Sequence, residues 1–145
     1  MVDDERNAIR LACEALSNEF AWSVDHRDYQ AVAELFTEEG VLDRGGHVAS
    51  GRGEILAAME ARPIELTARH VITNFRIESI SEREVCATSY VTIYLLPKSD
   101  SQLPHKDSLT AAAAFLAENH DLFVSTDTGW RISHRRVVPV VVFDT

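Results

Sequence analysis

"RHVITNFRIESISEREVCATSYVTIYLLP", residues 69–97, is where the sequence changes its period. Before Pro63 the apolar residues recur at helical spacing; from Arg69 onward they alternate with polar ones. Alternation of this kind marks strands with one buried face. The stretch therefore reads as two strands, "RHVITNFRIESIS" and "EVCATSYVTIYLLP", joined at "SERE".

Upstream, Ile9, Ala12, Leu16, Phe20 and Val24 place one apolar stripe on a helix from Asp3 to about His26, with Cys13 and Trp22 beside it. "HRD" breaks that helix, and Asp28 is placed to cap a short second one, "YQAVAELF". "EEG" is expected to end it, with Gly40 as the residue after its C-cap. "VLDRGGHVAS" predicts a small hairpin turning at Gly45–Gly46, and "GRGEILAAMEARP" a third helix stopped by Pro63. Downstream, "KSDSQLPHKDS" reads as a polar loop. The four alanines after Thr110 favour a helix by propensity. The turn "TDTG" before "WRISHRRVVPVVVF" instead makes residues 109–126 the first arm of a final hairpin. Helices followed by an antiparallel meander define the α+β class, and the 145 residues fit a single domain, 1–145.

A net charge of −9 argues against nucleic acid or an anionic membrane surface as partner. The N-terminus lacks the apolar run of a secretory signal, and "VVPVVVF" is too short to span a bilayer. Cys13 and Cys86 read as buried free thiols of a cytoplasmic protein. There is no HxH, HExxH, GxSxG, GxGxxG or phosphate-loop motif, so neither a metal nor a nucleotide cofactor is expected.

Asp25 stands out because it sits at the edge of the apolar face of the first helix, before the turn begins. A half-buried carboxylate needs a donor. His70, at the start of the first long strand, is the best candidate, and a carboxylate on one ring nitrogen would fix its tautomer for proton transfer. Arg135 and Arg136 read as a solvated strand face, Trp130 as a core anchor, and Pro139 as confining its strand to an edge or a bulge.

The segments "SVDHRDYQAVAELFTEEGVLD", "GRGEILAAM", "ARHVITNFRIESISEREVCATSYVTIYL" and "DLFVSTDTGWRISHRRV" resemble, in order and spacing, the SnoaL-like family of the nuclear-transport-factor-2-like superfamily. Within it scytalone dehydratase and hexachlorocyclohexane dehydrochlorinase are the members whose resemblance is most useful. The resemblance implies a cone-shaped barrel: a strongly curved, mostly antiparallel sheet packed on three N-terminal helices and enclosing a pocket. It implies a homodimer or higher oligomer, a hydrophobic small-molecule ligand, and Asp25 and His70 as a catalytic dyad. Val24, Leu116 and Phe20 stand where these enzymes carry further polar helpers, so the reaction would rest on the dyad. The expected activity is a cofactor-independent lyase or isomerase of the dehydratase type, on a polyketide-, steroid- or aromatic-like compound. The alternative is a non-catalytic binding or assembly subunit, like the small subunit of an aromatic-ring-hydroxylating dioxygenase. Tyr90, Tyr94, Asn119 and His120, chosen by strand location, together with Trp22 and Leu116, are the expected substrate-binding residues.

Overall fold

The computed structural model describes residues 1–97 and 113–143. Helix α1 (Asp3–Asp25) is followed by α2 (Tyr29–Glu34), the hairpin β1 (Phe36–Arg44) and β2 (His47–Ser50), and α3 (Arg52–Glu60). The long strands β3 (Leu66–Ile80), β4 (Glu84–Pro97), β5 (Ala113–Thr126) and β6 (Gly129–Phe143) complete the chain. The strands form one curled, unclosed mixed sheet in the order β2-β1-β6-β5-β4-β3, antiparallel except for the β1–β6 pair. This is the α+β cone expected from the sequence, and among the described residues no helix is long and apolar enough to cross a membrane. The polar loop read into "KSDSQLPHKDS" and residues 109–112 of the predicted arm lie outside the described residues.

α1 begins with Asp3, Asp4 and Glu5, whose charges oppose the positive end of the helix dipole. Its buried stripe is Ile9, Cys13, Ser17, Phe20 and Val24, and it faces β3 and β6. Ile9, Cys13, Phe20 and Val24 meet Phe36, Leu42, Val85, Phe123 and Ile132 in one core. Burial of each large apolar member contributes about 1.5–3 kcal/mol. Asp28 caps α2 as expected, accepting the Ala31 N–H at 3.2 Å.

Three expectations are corrected. The second helix stops at Glu34 rather than running to Phe36, and Gly40 is a strand residue, not the residue after a helix cap. The β1–β6 register shifts between Phe36 and Val41. A Cβ on Gly40 would stand 2.8 Å from the Cβ of Phe36 and 3.1 Å from the Ile132 carbonyl, so close approach rather than helix termination requires glycine there. Arg135 is not on a solvated face. It is fully buried and forks onto Asp121, Nε to Oδ1 at 2.7 Å and Nη2 to Oδ2 at 2.8 Å. The cause is a bulge: Phe123 pairs with Ile132 but Leu122 pairs with His134. One extra residue shifts the alternation, so Ile132 and Arg135 both turn inward while Arg136 stays exposed. Pro139 likewise lies at a register shift, opposite Ala117.

Two predictions arise here. Asp121→Asn leaves the Arg135 charge buried without its counter-ion and lowers unfolding free energy in urea by about 3–5 kcal/mol; a loss below about 1 kcal/mol would contradict the buried pair. Cys13 is fully buried, and burial, with Asp121 as the lesser cause, pushes its thiol up to about 12. The unfolded thiol ionises first, so this contribution to stability is whole below pH 9.0 and lost as pH rises toward about 12. Iodoacetamide at pH 8 should label Cys13 only in denaturant, and labelling of the native protein would contradict its burial.

Candidate active site

Asp25 is the last residue of α1 and His70 lies near the start of β3. β3 is a terminal strand of the sheet, so the backbone groups on its outer edge have no strand partner. Asp25 supplies one. Its Oδ2 accepts the His70 backbone N–H at 2.9 Å, and its Oδ1 accepts the His70 Nδ1–H at 2.5 Å. Both side chains are nearly buried, Asp25 at 6% and His70 at 10% exposed.

Arg27 holds the chain that leads into β3. It takes a left-handed conformation, φ 58°, as the chain leaves α1. Its Nη2 donates to the carbonyls of Pro63, Ile64 and Leu66 at 2.9, 3.2 and 2.5 Å. The segment before β3 is thereby tied to the turn after Asp25.

The pair opens on a cavity of about 300 Å³ inside the curl of the sheet. Phe20, Val24, Ile72, Val91, Ile93 and Phe115 make most of its wall. The polar lining is His70, Asn119, Arg135, Arg44 and Arg62. With Nδ1–H given to Asp25, the lone pair of His70 is on Nε2, the nitrogen left for a ligand. Asn119 is buried and donates from Nδ2 to Ser89 Oγ at 3.3 Å. Arg135 also donates from Nη2 to Ser17 Oγ at 2.8 Å, and its guanidinium lies 4.6 Å from the Phe20 ring centre. Its Nη1 is buried and, among the described residues, has no hydrogen-bond partner. Burial, and secondarily Arg62, hold Arg44 below the ordinary arginine pKa.

Of the residues expected at the site, Asp25, His70 and Asn119 come together. Asp25 reaches the cavity only through His70, and the other five do not line it; alternation or helix face explains each of the five. Trp22 is 63% exposed and stacks on His26 at 4.0 Å, outside the buried stripe of α1. Tyr90 and Tyr94 face outward because Val91 and Ile93 face in. Leu116 and His120 are out of step with the buried Ala117, Asn119 and Asp121, and His120 meets Glu118 at 3.2 Å on the other side of the sheet. Sequence reasoning missed Asp121, Arg135, Arg44 and Arg62. The first was discoverable, since Ala117, Asn119, Asp121 and Phe123 share one parity with the core. Among the described residues no group of three or more His, Cys, Asp or Glu is arranged to hold a metal ion.

Comparison with known proteins agrees with the geometry of the fold. The family model of the SnoaL-like domain matches residues 5–136. A Novosphingobium aromaticivorans protein provisionally named a scytalone dehydratase superposes with a TM-score of 0.82 at 18% identity, covering 99% of this chain and 92% of that one. A hexachlorocyclohexane dehydrochlorinase, LinA type 2, gives 0.81 at 17% identity over 98% and 92% of the two chains. ActVI-ORFA from Streptomyces coelicolor gives 0.72 at 21% identity over 89% and 95%. No curated protein matches the sequence.

The Asp25 contact predicts a single tautomer for His70. ¹⁵N NMR of the neutral imidazole should show a protonated Nδ1 and an unprotonated Nε2, and Asp25→Asn should mix the tautomers. A dominant Nε2–H form in the unsubstituted protein would contradict the geometry.

Proposed function

The chain belongs to the SnoaL-like domain family, and from that premise we propose that it is a cofactor-independent lyase or isomerase for an apolar polyketide-, steroid- or aromatic-like compound. One observation carries the reading: a carboxylate–imidazole pair whose free nitrogen is available to an apolar cavity. Nε2 of His70 takes a proton from a carbon beside a carbonyl. Asp25 holds the ring in place and stabilises the imidazolium that forms. Negative charge develops on the carbonyl oxygen. The Asn119 amide and the unpartnered Nη1 of Arg135 are the donors available to meet it. In a dehydration, the imidazolium returns its proton to the departing hydroxyl and water leaves. In an isomerisation, the same proton goes back to a different carbon.

Of the strand residues expected to bind substrate, Tyr90, Tyr94 and His120 face outward, which leaves the electrophilic role to Asn119, joined by Arg135. The assembly reading retains one supporting observation. Val71, Tyr90 and Tyr94 are exposed on the outer face of the sheet, an apolar surface suited to a second copy of the chain. Such a homodimer is compatible with catalysis because the cavity lies on the other face.

The test is turnover of a panel of β-hydroxy and β,γ-unsaturated aromatic ketones, followed by loss of water or movement of the double bond. The expected result is turnover of at least one member, with His70→Gln slowing it by about 10²–10⁴-fold and Asp25→Asn also slowing it. A His70→Gln variant that turns over the same compound at an unchanged rate would remove the dyad from the mechanism.

A further inference from the structure

We propose that the substrate is an apolar acid, its carboxylate held between Arg44 and Arg62 while its reacting carbon faces His70; this rests on the proton-transfer reading above. Arg44 ends β1, and Arg62 follows α3, its backbone N–H donating to Met59 at 3.1 Å. The two side chains come from separate elements and line the same cavity. Both residues are half-buried. Among the described residues, neither guanidinium has a hydrogen bond or a carboxylate partner.

Other arginines that reach inward are compensated. Arg135 is forked onto Asp121, and Arg52 donates twice to the Phe36 carbonyl. Acidic side chains are not scarce, with 23 Asp and Glu against 14 Lys and Arg. The cavity nevertheless has two cations and, among the described residues, no counter-charge on them. Partial desolvation of like charges is unfavourable until an anion enters between them. A planar carboxylate matches the fork of a guanidinium bidentately. Because Asp121 already balances Arg135, the anion belongs at Arg44 and Arg62 and the neutral carbonyl at Arg135. The register separates these ends. Arg44 pairs with Val137, and Val137 with Asn119, so two strand spacings, about 10 Å, lie between Arg44 and Asn119. Between them stands the apolar wall, and the cavity is at the lower end of ligand-pocket sizes, about 300–1,000 Å³. A compact acid of one or two rings satisfies these constraints.

Isothermal titration calorimetry with benzoate and 2-naphthoate, each against its neutral amide, tests this directly. The expected result is that at least one acid binds about ten-fold or more tightly than its amide, as a charge-assisted hydrogen bond requires. Arg44→Gln and Arg62→Gln should each remove most of that preference, and Arg44→Lys should retain part of it. Melting temperature checks that the variants fold. An amide that binds as well as its acid, acid binding unchanged in the double Gln variant, or no binding of either pair would overturn the proposal. His70→Gln separates the two readings. It should keep the acid preference even as turnover is lost, so failure at the arginines and failure of the dyad give different patterns.

Discussion

The carboxylate of Asp25 joins the end of a helix to the open edge of a sheet. Two donors of one residue, the backbone N–H and the ring Nδ1–H of His70, satisfy its two oxygens. That arrangement resolves the cost of burying a charge. It also covers an N–H that a terminal strand would otherwise leave bare. The orientation of His70 follows from the same contact, since a ring fixed at Nδ1 can offer only Nε2 to a ligand.

α1 is tied to the curled sheet at a second point. Ser17 lies eight residues before Asp25, roughly 12 Å along the helix at the standard rise, and accepts a hydrogen bond from Arg135 on β6. One helix is therefore anchored to β3 through Asp25 and to β6 through Ser17, with β4 and β5 between those strands in the sheet. The cavity occupies the space the curl leaves under this strut. Its apolar wall comes from α1 and from inward-facing residues of β3, β4 and β5, which also carry His70 and Asn119, while its arginines come from positions where regular alternation is interrupted or ends. Arg135 follows a bulge, Arg44 closes a strand and Arg62 follows a helix. The proposed chemistry uses this division: apolar surface for binding, and a few fixed polar groups for proton transfer and charge.

Much of this architecture was legible in the sequence because periodicity reports burial. The change of period after Pro63, the Gly45–Gly46 turn and the capping Asp28 each correspond to the element observed. The Asp25–His70 contact was inferred from an out-of-place carboxylate and from family resemblance, and the two side chains do meet. Failures cluster where local rules are overridden. Gly40 looked like a helix stop because its close approach to Phe36 is a tertiary fact. Arg135 looked solvated because one extra residue at Ser133 is invisible to strict alternation. Tyr90, Tyr94, Leu116 and His120 were chosen by strand rather than by parity; the parity of Val91 and Asn119 would have sent them to the other face. Arg44 and Arg62 converge only through the fold, and no spacing between them in the chain announces it.

The central claim is that the Asp25–His70 pair presents a base to a ligand in the cavity. A crystal structure of the protein with a bound aromatic ketone tests it most directly. The account predicts an acidic C–H carbon of the ligand about 3–3.5 Å from His70 Nε2, with Nδ1 still bonded to Asp25. A ligand seated elsewhere, or a His70 Nε2 engaged by another protein group with the ligand present, would contradict it.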